Sequence, residues 1–334
     1  MREPAFWWRE ASFAARALAP LAAVYGAVTQ RRLAQAGARA AVPVVCVGNP
    51  TLGGAGKTPL VLTLARSLMG AGETPVLLSR GYGGRLAGPL QVDPHRHRAT
   101  DVGDEPLLLA RLAPTVVAHD RVAGAQAAVA AGASVIVMDD GFQNPSLQKS
   151  FSVLVLDGRR GIGNGKLFPA GPLRAPLSAQ LARADAMVVV DASTSGAPGV
   201  VEEARCRVPV FAASLQPEVG AVAALAGVRV LAFAGIGDPG KLFASLAAAG
   251  IAVARSHGFA DHHRYTRAQA RALCEEADRE GLELVTTEKD LARMQGDPSV
   301  ATLARRARAF PVTLTLADAP AFLRHLGARI AAAR

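Results

Sequence analysis

Glycine, lysine and threonine are grouped behind a short apolar run, in the pattern of a loop that holds the phosphates of a nucleotide. Residues 44–48 predict a buried strand, and the turn after it ends in Gly56, Lys57 and Thr58. In such a turn the backbone N–H groups and the next helix N-terminus bind phosphate, the lysine reaches the terminal phosphates and the threonine hydroxyl binds Mg²⁺. The match to G-x-x-x-x-G-K-[ST] is incomplete, because Thr51 stands at the first glycine position. An ordinary glycine-rich connection from a strand to a helix is the alternative.

Two pairs of adjacent carboxylates could bind a metal ion or accept a proton. Asp139 and Asp140 follow the apolar run 134–138, which is the form of a Walker B strand whose carboxylate holds Mg²⁺. Without the upstream loop, the same pattern would be an ordinary turn. Asp104 and Glu105 precede an apolar helix, where they could serve as a base and a metal ligand or could simply cap that helix.

A cluster of imidazoles lies in the loop 258–265, near a predicted domain junction. In this loop His262 and His263 directly follow Asp261. A catalytic pair and a structural pair on the protein surface are both compatible with this pattern.

Two further loops carry arginines that could contact a nucleotide or an acidic substrate. The first, 80–85, is rich in glycine and follows the short apolar strand 75–79, and open α/β sheets bind ligands at this end of their strands. The second, 158–180, is too long for a plain connection and carries four cationic side chains. Solvated basic loops are the alternative for both. The cationic residues of the second loop are Arg159, Arg160, Lys166 and Arg174.

Composition limits the classes of protein to which the chain can belong. It has 334 residues, 50% of them hydrophobic, which is enough for two domains with a sizeable core. The formal net charge of +10 predicts an anionic partner, but no nucleic-acid-binding motif is present and aromatic residues make up only 5%, so we expect no nucleic-acid partner. Cys46, Cys206 and Cys274 have no zinc-motif spacing and form no disulfide pattern, which fits a reducing cytosol.

Alternating apolar strands and helices predict an α/β protein. We expect a parallel sheet of the P-loop NTPase type with helices on both faces, spanning residues 39–222. A second strand–helix series without a phosphate loop predicts a smaller α/β domain over 223–334, whose terminal helix could return to the first domain. A poorly patterned stretch, 215–226, is the candidate linker.

The first 38 residues need a separate interpretation. Residues 6–32 read as a helix with Trp7 and Trp8 at its start, and the apolar part, 17–28, is too short to span a bilayer, which needs about 20 residues. We expect an amphipathic helix that docks on a membrane, with the tryptophans at headgroup depth and Arg31 and Arg32 near anionic lipid. A helix packed on the protein's own core is the alternative.

Taken together, the motifs resemble one family, the tetraacyldisaccharide 4′-kinases of lipid A biosynthesis in Gram-negative bacteria. The motifs occur in family order over nearly the whole chain, and their combination is highly specific. The segments that carry the resemblance are 48–51 with 53–59, 79–84, 103–106, 139–143, 163–165 with 169–174, 261–262 and 287–290.

The resemblance implies transfer of the γ-phosphoryl group of ATP to the 4′-hydroxyl of a tetraacylated disaccharide 1-phosphate, which gives lipid IVA. It implies ATP and Mg²⁺ as cofactors, the acylated disaccharide lipid as substrate, and peripheral contact with anionic lipid at the cytoplasmic face of the inner membrane. No obligate protein partner is expected. The strongest rival is a membrane-recruited P-loop ATPase switch without phosphotransfer, but Leu52 stands where the signature lysine of such switches would be.

The resemblance also implies roles for individual residues. Asp104 would be the catalytic base and His262 its partner. ATP would be held by Asn49, Thr51, Gly53, Gly54, Ala55, Gly56, Lys57 and Thr58. The metal would be held by Thr58, Asp139, Asp140 and Glu105. Substrate or phosphate contacts would come from Arg80, Tyr82, Arg121, Gln143, Asn164 and Arg174.

Two positions depart from the family pattern. Ala175 stands where a glutamate commonly follows Leu-Arg, and Asn144 stands where a histidine commonly follows Phe-Gln. The first puts in doubt an acidic contact from that loop, and neither is a proposed proton-transfer or metal-binding group.

Overall fold

The computed structural model describes residues 3–9, 12–191 and 198–334. Its strands and helices alternate for most of the chain. The strands are β1 (Val44–Gly48), β2 (Pro75–Ser79), β3 (Leu90–Gln91), β4 (Thr115–Val117), β5 (Val135–Asp139), β6 (Phe151–Asp157), β7 (Ala186–Val190), β8 (Val210–Pro217), β9 (Arg229–Ala234), β10 (Ala252–Gly258), β11 (Glu283–Thr286), β12 (Arg308–Ala309) and β13 (Val312–Leu316). The helices are α1 (Phe13–Ala17), α2 (Ala19–Leu33), α3 (Lys57–Gly70), α4 (Ala99–Val102), α5 (Asp104–Ala110), α6 (Arg121–Ala130), α7 (Leu177–Leu181), α8 (Pro198–Arg205), α9 (Val219–Ala224), α10 (Gly240–Ala248), α11 (Arg267–Glu280), α12 (Glu288–Met294), α13 (Ala301–Arg306) and α14 (Ala319–Ala332).

The larger sheet has nine strands in the order β13-β8-β7-β6-β1-β5-β2-β4-β3. Its inner strands are parallel, as predicted, whereas β3 and β13 pair antiparallel at the two edges. The strands β1, β2, β5, β6 and β7 are buried along their whole length, which explains why their sequences are apolar rather than alternating. Val45 and Val47 face the core beneath α3, and Val44 and Cys46 face a second core on the opposite side of the sheet.

The smaller sheet has four parallel strands in the order β10-β9-β11-β12. Helix α11 packs on it through an apolar face that includes Leu273 and Ala277. The helix begins at a capping box in which the Thr266 side chain accepts from the Gln269 N–H, and it ends at Gly281, whose φ of 64° is left-handed. We call residues 229–309 the small unit and the rest of the described chain the large unit.

The end of the chain differs from the predicted domain division. Strand β13 pairs with β8 of the larger sheet, and α14 packs Phe322 edge-on against Phe151 and Phe211. The predicted smaller domain, 223–334, is therefore wrong at its end, because β13 lies in that range but belongs to the larger sheet. The predicted linker 215–226 is not an irregular connecting segment either, because it contains the end of β8 and helix α9.

The N-terminal segment is not one helix. A 3-10 turn, Ala5–Trp8, precedes α1 and α2. Trp7 is 6% exposed and donates from Nε1 to the Pro169 carbonyl at 3.0 Å, and Trp8 lies beneath the Arg160 guanidinium. The tryptophans predicted at headgroup depth are thus held by the protein instead, because the long loop 158–180 covers them. Among the described residues, no helix has the length and apolarity needed to cross a bilayer.

Replacing Phe322 tests the return of the terminal helix to the larger sheet. We expect Phe322→Ala to lower the free energy of unfolding of the large unit by about 3–5 kcal/mol, because the fully buried ring fills the core between α14 and the sheet. Urea unfolding followed by circular dichroism measures this. The exposed Arg324 on the same helix provides the control, and Arg324→Ala should change stability by less than about 0.5 kcal/mol. Equal effects of the two changes would show that α14 does not pack as described.

Candidate active site

The phosphate loop lies between β1 and α3, at the carboxyl end of the central strand of the larger sheet. Gly53 and Gly56 have φ values of 103° and 96°, a backbone conformation that residues with a Cβ rarely adopt. Thr51 instead forms an isolated bridge with Leu173, which is extended backbone. This explains why the first glycine of the motif can be replaced here without loss of the turn.

Lys57 and Thr58 begin α3 and are both buried beside the loop. The Lys57 ammonium donates to Asn49 Oδ1 at 3.1 Å and lies 3.9 Å from Asp140 Oδ1. Burial lowers the pKa of Lys57, against the opposing attraction of the Asp140 carboxylate. The Asn49 amide in turn donates to the Gly53 carbonyl at 3.1 Å, so Asn49 holds the Lys57 side chain against the phosphate loop.

The two aspartates at the end of β5 have different environments. Val47 of β1 pairs in register with Asp139, which brings this carboxylate next to the phosphate loop. Asp139 is 1% exposed, and neither of its carboxylate oxygens has a hydrogen-bond partner among the described residues. Burial, followed by repulsion from Glu105 and Asp140, raises the pKa of Asp139 to about 7. A buried carboxylate without donors is the group that a divalent cation would satisfy.

The Asp140 carboxylate is already paired with cationic side chains. Arg174 donates to both of its oxygens, at 2.9 and 3.2 Å, and also donates from Nε to the Thr51 carbonyl at 2.9 Å. Burial acts to raise the pKa of Asp140, but Lys57 and Arg174 outweigh it and hold the pKa at about 2. Of the two predicted Walker B ligands, Asp139 therefore fits Mg²⁺ better, and Asp140 ties the phosphate loop to the loop that carries Arg174.

The residues present fit a Mg²⁺ ion bound together with a nucleotide. Thr58 could bind it through its hydroxyl and Asp139 through its carboxylate, with Glu105 nearby. No group of three or more His, Cys, Asp or Glu with metal-binding geometry occurs in the described part of the chain. Mg²⁺ usually keeps several waters and takes further ligands from phosphate oxygens, so few protein ligands would be needed.

The predicted pair Asp104 and His262 is brought together from the two units. Asp104 begins α5, and its Oδ2 lies 3.2 Å from Nδ1 of His262. His262 has a left-handed φ of 53°, and its ring lies 5.1 Å from that of Tyr82, centroid to centroid. Burial acts to lower the pKa of His262, but its hydrogen bond to Asp104 prevails and the pKa is raised. The two residues are 158 positions apart in the chain, so the small unit completes this site.

Helix α12 contributes two cations that were not among the predicted site residues. Lys289 donates to Glu105 Oε1 at 2.5 Å, and Arg293 donates to Asp104 Oδ2 from Nε at 3.1 Å and from Nη2 at 2.5 Å. Their spacing of four residues puts both on one face of a helix. That spacing was the available signal, but it also describes an ordinary solvated face.

Most of the residues predicted to contact substrate lie around one cleft between the two units. Its volume is about 1570 Å³, and the phosphate loop forms part of its wall. Asn164 lies elsewhere, because its amide holds the N-terminal segment and its own loop through the carbonyls of Phe6 and Ala170. The predicted contact residues that line the cleft are Arg80, Tyr82, Arg121, Gln143 and Arg174.

Comparisons with known proteins agree over nearly the whole chain. Residues 14–331 match the family model described as tetraacyldisaccharide-1-P 4′-kinase. The chain belongs to this family. The predicted family and enzyme class are thereby confirmed, and the sheets described above confirm the predicted α/β fold.

Relatives and a solved structure support the same assignment. Proteins named tetraacyldisaccharide 4′-kinase from Nitrobacter winogradskyi and Afipia carboxidovorans are 54% and 53% identical, over 95% and 100% of this chain and 94% and 99% of theirs. A crystal structure of LpxK from Aquifex aeolicus in complex with ATP matches with a TM-score of 0.72 and 26% identity, over 95% of this chain and 99% of that one.

Asp139 gives a test of the metal site that does not depend on catalysis. We expect Asp139→Asn to leave the melting temperature of the metal-free protein unchanged or higher, because the charge repelled by Glu105 and Asp140 is removed. The affinity for Mg²⁺–ATP should fall about ten-fold or more, since changes even to groups outside the ligand shell cost that much. Thermal shift titrations with Mg²⁺–ATP measure both.

Titration with ATP and a chelator is the matched control for Asp139→Asn. The variant should respond to metal-free ATP at least as strongly as the unmodified protein, because without its cation the Asp139 carboxylate can only repel the phosphates. If the variant responds to Mg²⁺–ATP as the unmodified protein does, Asp139 is not a ligand of the metal.

Proposed function

We propose that this protein transfers the γ-phosphoryl group of ATP to the 4′-hydroxyl of a tetraacylated glucosamine disaccharide 1-phosphate. The observation that carries the proposal is a single cleft whose wall contains a phosphate loop, the Asp139 carboxylate, which has no hydrogen-bond partner among the described residues, and His262, which contacts the buried Asp104. Family membership supports the substrate class, because the relatives are named for this activity. The product would be lipid IVA.

The loop would hold the ATP phosphates through its backbone N–H groups and the N-terminus of α3. Lys57, which is already directed toward the loop by Asn49, would contact the terminal phosphates. Mg²⁺, when bound, would offset the negative charge that develops on the transferred group. Thr58 and Asp139 would hold that ion.

Asp104 would accept the proton of the sugar hydroxyl as the hydroxyl oxygen attacks the γ-phosphorus. The O–H bond breaks, an O–P bond forms, the bond from the γ-phosphorus to the bridging oxygen breaks, and ADP leaves with that electron pair. Burial acts to raise the pKa of Asp104, but its hydrogen bond to His262 and the charge of Arg293 prevail, so its pKa lies below the usual range and the group is ionised. The Nδ1–H of His262, which lies against Asp104 Oδ2, would stabilise the ionised carboxylate until it accepts the proton.

The cations around the cleft would bind the negative groups of both substrates. Arg80 and Arg121 lie on the large-unit side of the cleft, and Tyr82 contacts the ring of His262. Arg121 is buried and donates to the Ala118 carbonyl, so it is held rather than free to adapt. We assign these three residues to the disaccharide side of the site.

The N-terminal helices would hold the protein against the inner membrane, where an acylated substrate resides. The exposed apolar side chains are those of Phe13, which is 87% exposed, Leu21, Val24 and Val28. Arg31 and Arg32 in the last turn of α2 add positive charge for anionic lipid. Contact with the cytoplasmic leaflet would therefore be made by these apolar side chains and not by the tryptophans.

Replacing Asp104 tests the assignment of the base. We expect Asp104→Asn to lower kcat by about 10²–10⁴-fold, because the amide cannot accept the proton, while the affinity for ATP changes little. The measurement is transfer of labelled phosphate from ATP to the acylated disaccharide 1-phosphate in detergent micelles. Asp93→Asn, outside the cleft, is the control and should retain full activity.

A large loss of ATP affinity in Asp104→Asn would place this residue in nucleotide binding instead. ATP hydrolysis by the unmodified protein that is equal with and without the lipid would favour an ATPase switch.

Replacing two exposed apolar residues tests membrane docking. We expect the double change Leu21→Ser and Val24→Ser to weaken binding to vesicles containing anionic lipid by about ten-fold or more. The reason is that two apolar side chains are no longer available for transfer from water into the lipid. Vesicle co-sedimentation measures this, and the affinity for ATP should be unchanged. Met69→Ser, which removes an exposed apolar side chain at the end of α3, is the control and should bind vesicles like the unmodified protein. Equal binding by all three proteins would show that the exposed face of α2 does not dock on the membrane.

A further inference from the structure

Arg293 is held in place almost completely by the small unit. Its Nη1 donates to the carbonyls of Gly235 and His263, at 3.2 and 3.1 Å, and to Asp290 Oδ1 at 2.7 Å. Its side chain is 6% exposed. A guanidinium has a planar, rigid arrangement of donors, so fixing Nη1 also fixes the direction of Nε and Nη2.

Asp290, the acidic partner of Arg293, is itself fixed by several donors. The Gly235 N–H donates to its Oδ1 at 3.0 Å, and so does the Tyr265 hydroxyl at 2.9 Å. The Thr287 hydroxyl donates to Oδ2 at 2.6 Å and also accepts from the Asp290 N–H, which caps α12. Asp290 is fully buried and cannot move without breaking these bonds.

The free edge of this guanidinium meets the proposed base across the boundary between the units. Nε and Nη2 both contact Asp104 Oδ2, the oxygen that also lies next to His262. The other oxygen, Oδ1, accepts from the Glu105 N–H at 3.0 Å. The carboxylate plane of Asp104 is therefore fixed from both sides, by its own helix and by Arg293.

We propose that Arg293 is a positioning residue for Asp104, which holds the carboxylate in the orientation that receives the sugar proton. The proposal rests on the proposed function, because it gives Arg293 a role only through Asp104. Each nitrogen of the Arg293 guanidinium donates to Asp104 or to a group of the small unit, so Arg293 is not assigned a contact with substrate. Lysine could supply the charge but not two rigidly held donors that converge on Asp104 Oδ2, so Lys is not an equivalent residue here.

A purely structural role is the competing explanation, since Arg293 also joins the two units. The two roles differ in what should restore activity. If Arg293 only stabilises the contact between the units, a small guanidinium compound will not recover a variant that has lost it. If Arg293 orients Asp104, the compound can occupy the vacated space and recover the rate.

The test uses the full chain and the phosphate-transfer assay in micelles. We expect Arg293→Ala to lower kcat by about 10²-fold, because a misplacement of about 1 Å costs that much, while the affinity for ATP stays within about two-fold. Added methylguanidinium should restore kcat at least about ten-fold, and sodium chloride at equal ionic strength should not. Arg306→Ala, which removes another small-unit arginine from an ion pair with Asp278 at the surface, should keep normal kcat with or without methylguanidinium.

Each result decides for or against the proposal. Normal kcat in Arg293→Ala, or a loss that methylguanidinium does not restore, overturns it. Should Arg293→Ala fail to fold, Arg293→Lys decides the question: kcat lowered about ten-fold or more with unchanged ATP affinity supports the proposal, and normal kcat overturns it. The proposed function fails separately, if the unmodified protein transfers no phosphate to the lipid.

Discussion

Four carboxylates are crowded at the carboxyl edge of the larger sheet, and their mutual repulsion must be offset by cations from distant parts of the chain. Arg174 and Lys57 offset Asp140, Lys289 offsets Glu105, and Arg293 offsets Asp104. Only Asp139 has no partner among these described side chains. A concentration of buried negative charge is costly unless it is paired, so the remaining charge identifies the place where the protein needs a cation that it does not itself supply.

The same balance of charge explains why two units are needed. The large unit supplies the phosphate loop and all four carboxylates, whereas the small unit supplies His262, Lys289 and Arg293. Neither unit alone would have a satisfied site. A further ion pair reinforces the arrangement, because Lys241 of α10 lies 2.5 Å from Asp157 at the end of β6 and donates to the Gly54 carbonyl at 3.3 Å. The nucleotide loop is thus in contact with both units.

Local pattern predicted the features that depend on neighbouring residues. Lys57 and Thr58 come after one buried strand and Asp139 ends another, and the apolar runs that form those strands are visible without any tertiary knowledge. The pairing of Asp104 with His262 came from the resemblance, since nothing local joins residues 158 positions apart. Arg293 was not found, the terminal strand was misplaced and the tryptophans were assigned to the membrane. All three depend on which distant segment packs against them, and a hydrophobicity pattern does not specify that partner.

The position of β13 and α14 has a consequence for the order in which the protein can assemble during synthesis. These elements cover the core beneath β6 and β8, yet they follow the entire small unit in the chain. The apolar side chains of Phe151 and Phe211 therefore stay without their Phe322 cover until the small unit has been synthesised. Domains generally fold from the N-terminus as they emerge, so here the first unit to begin folding is the last to be completed.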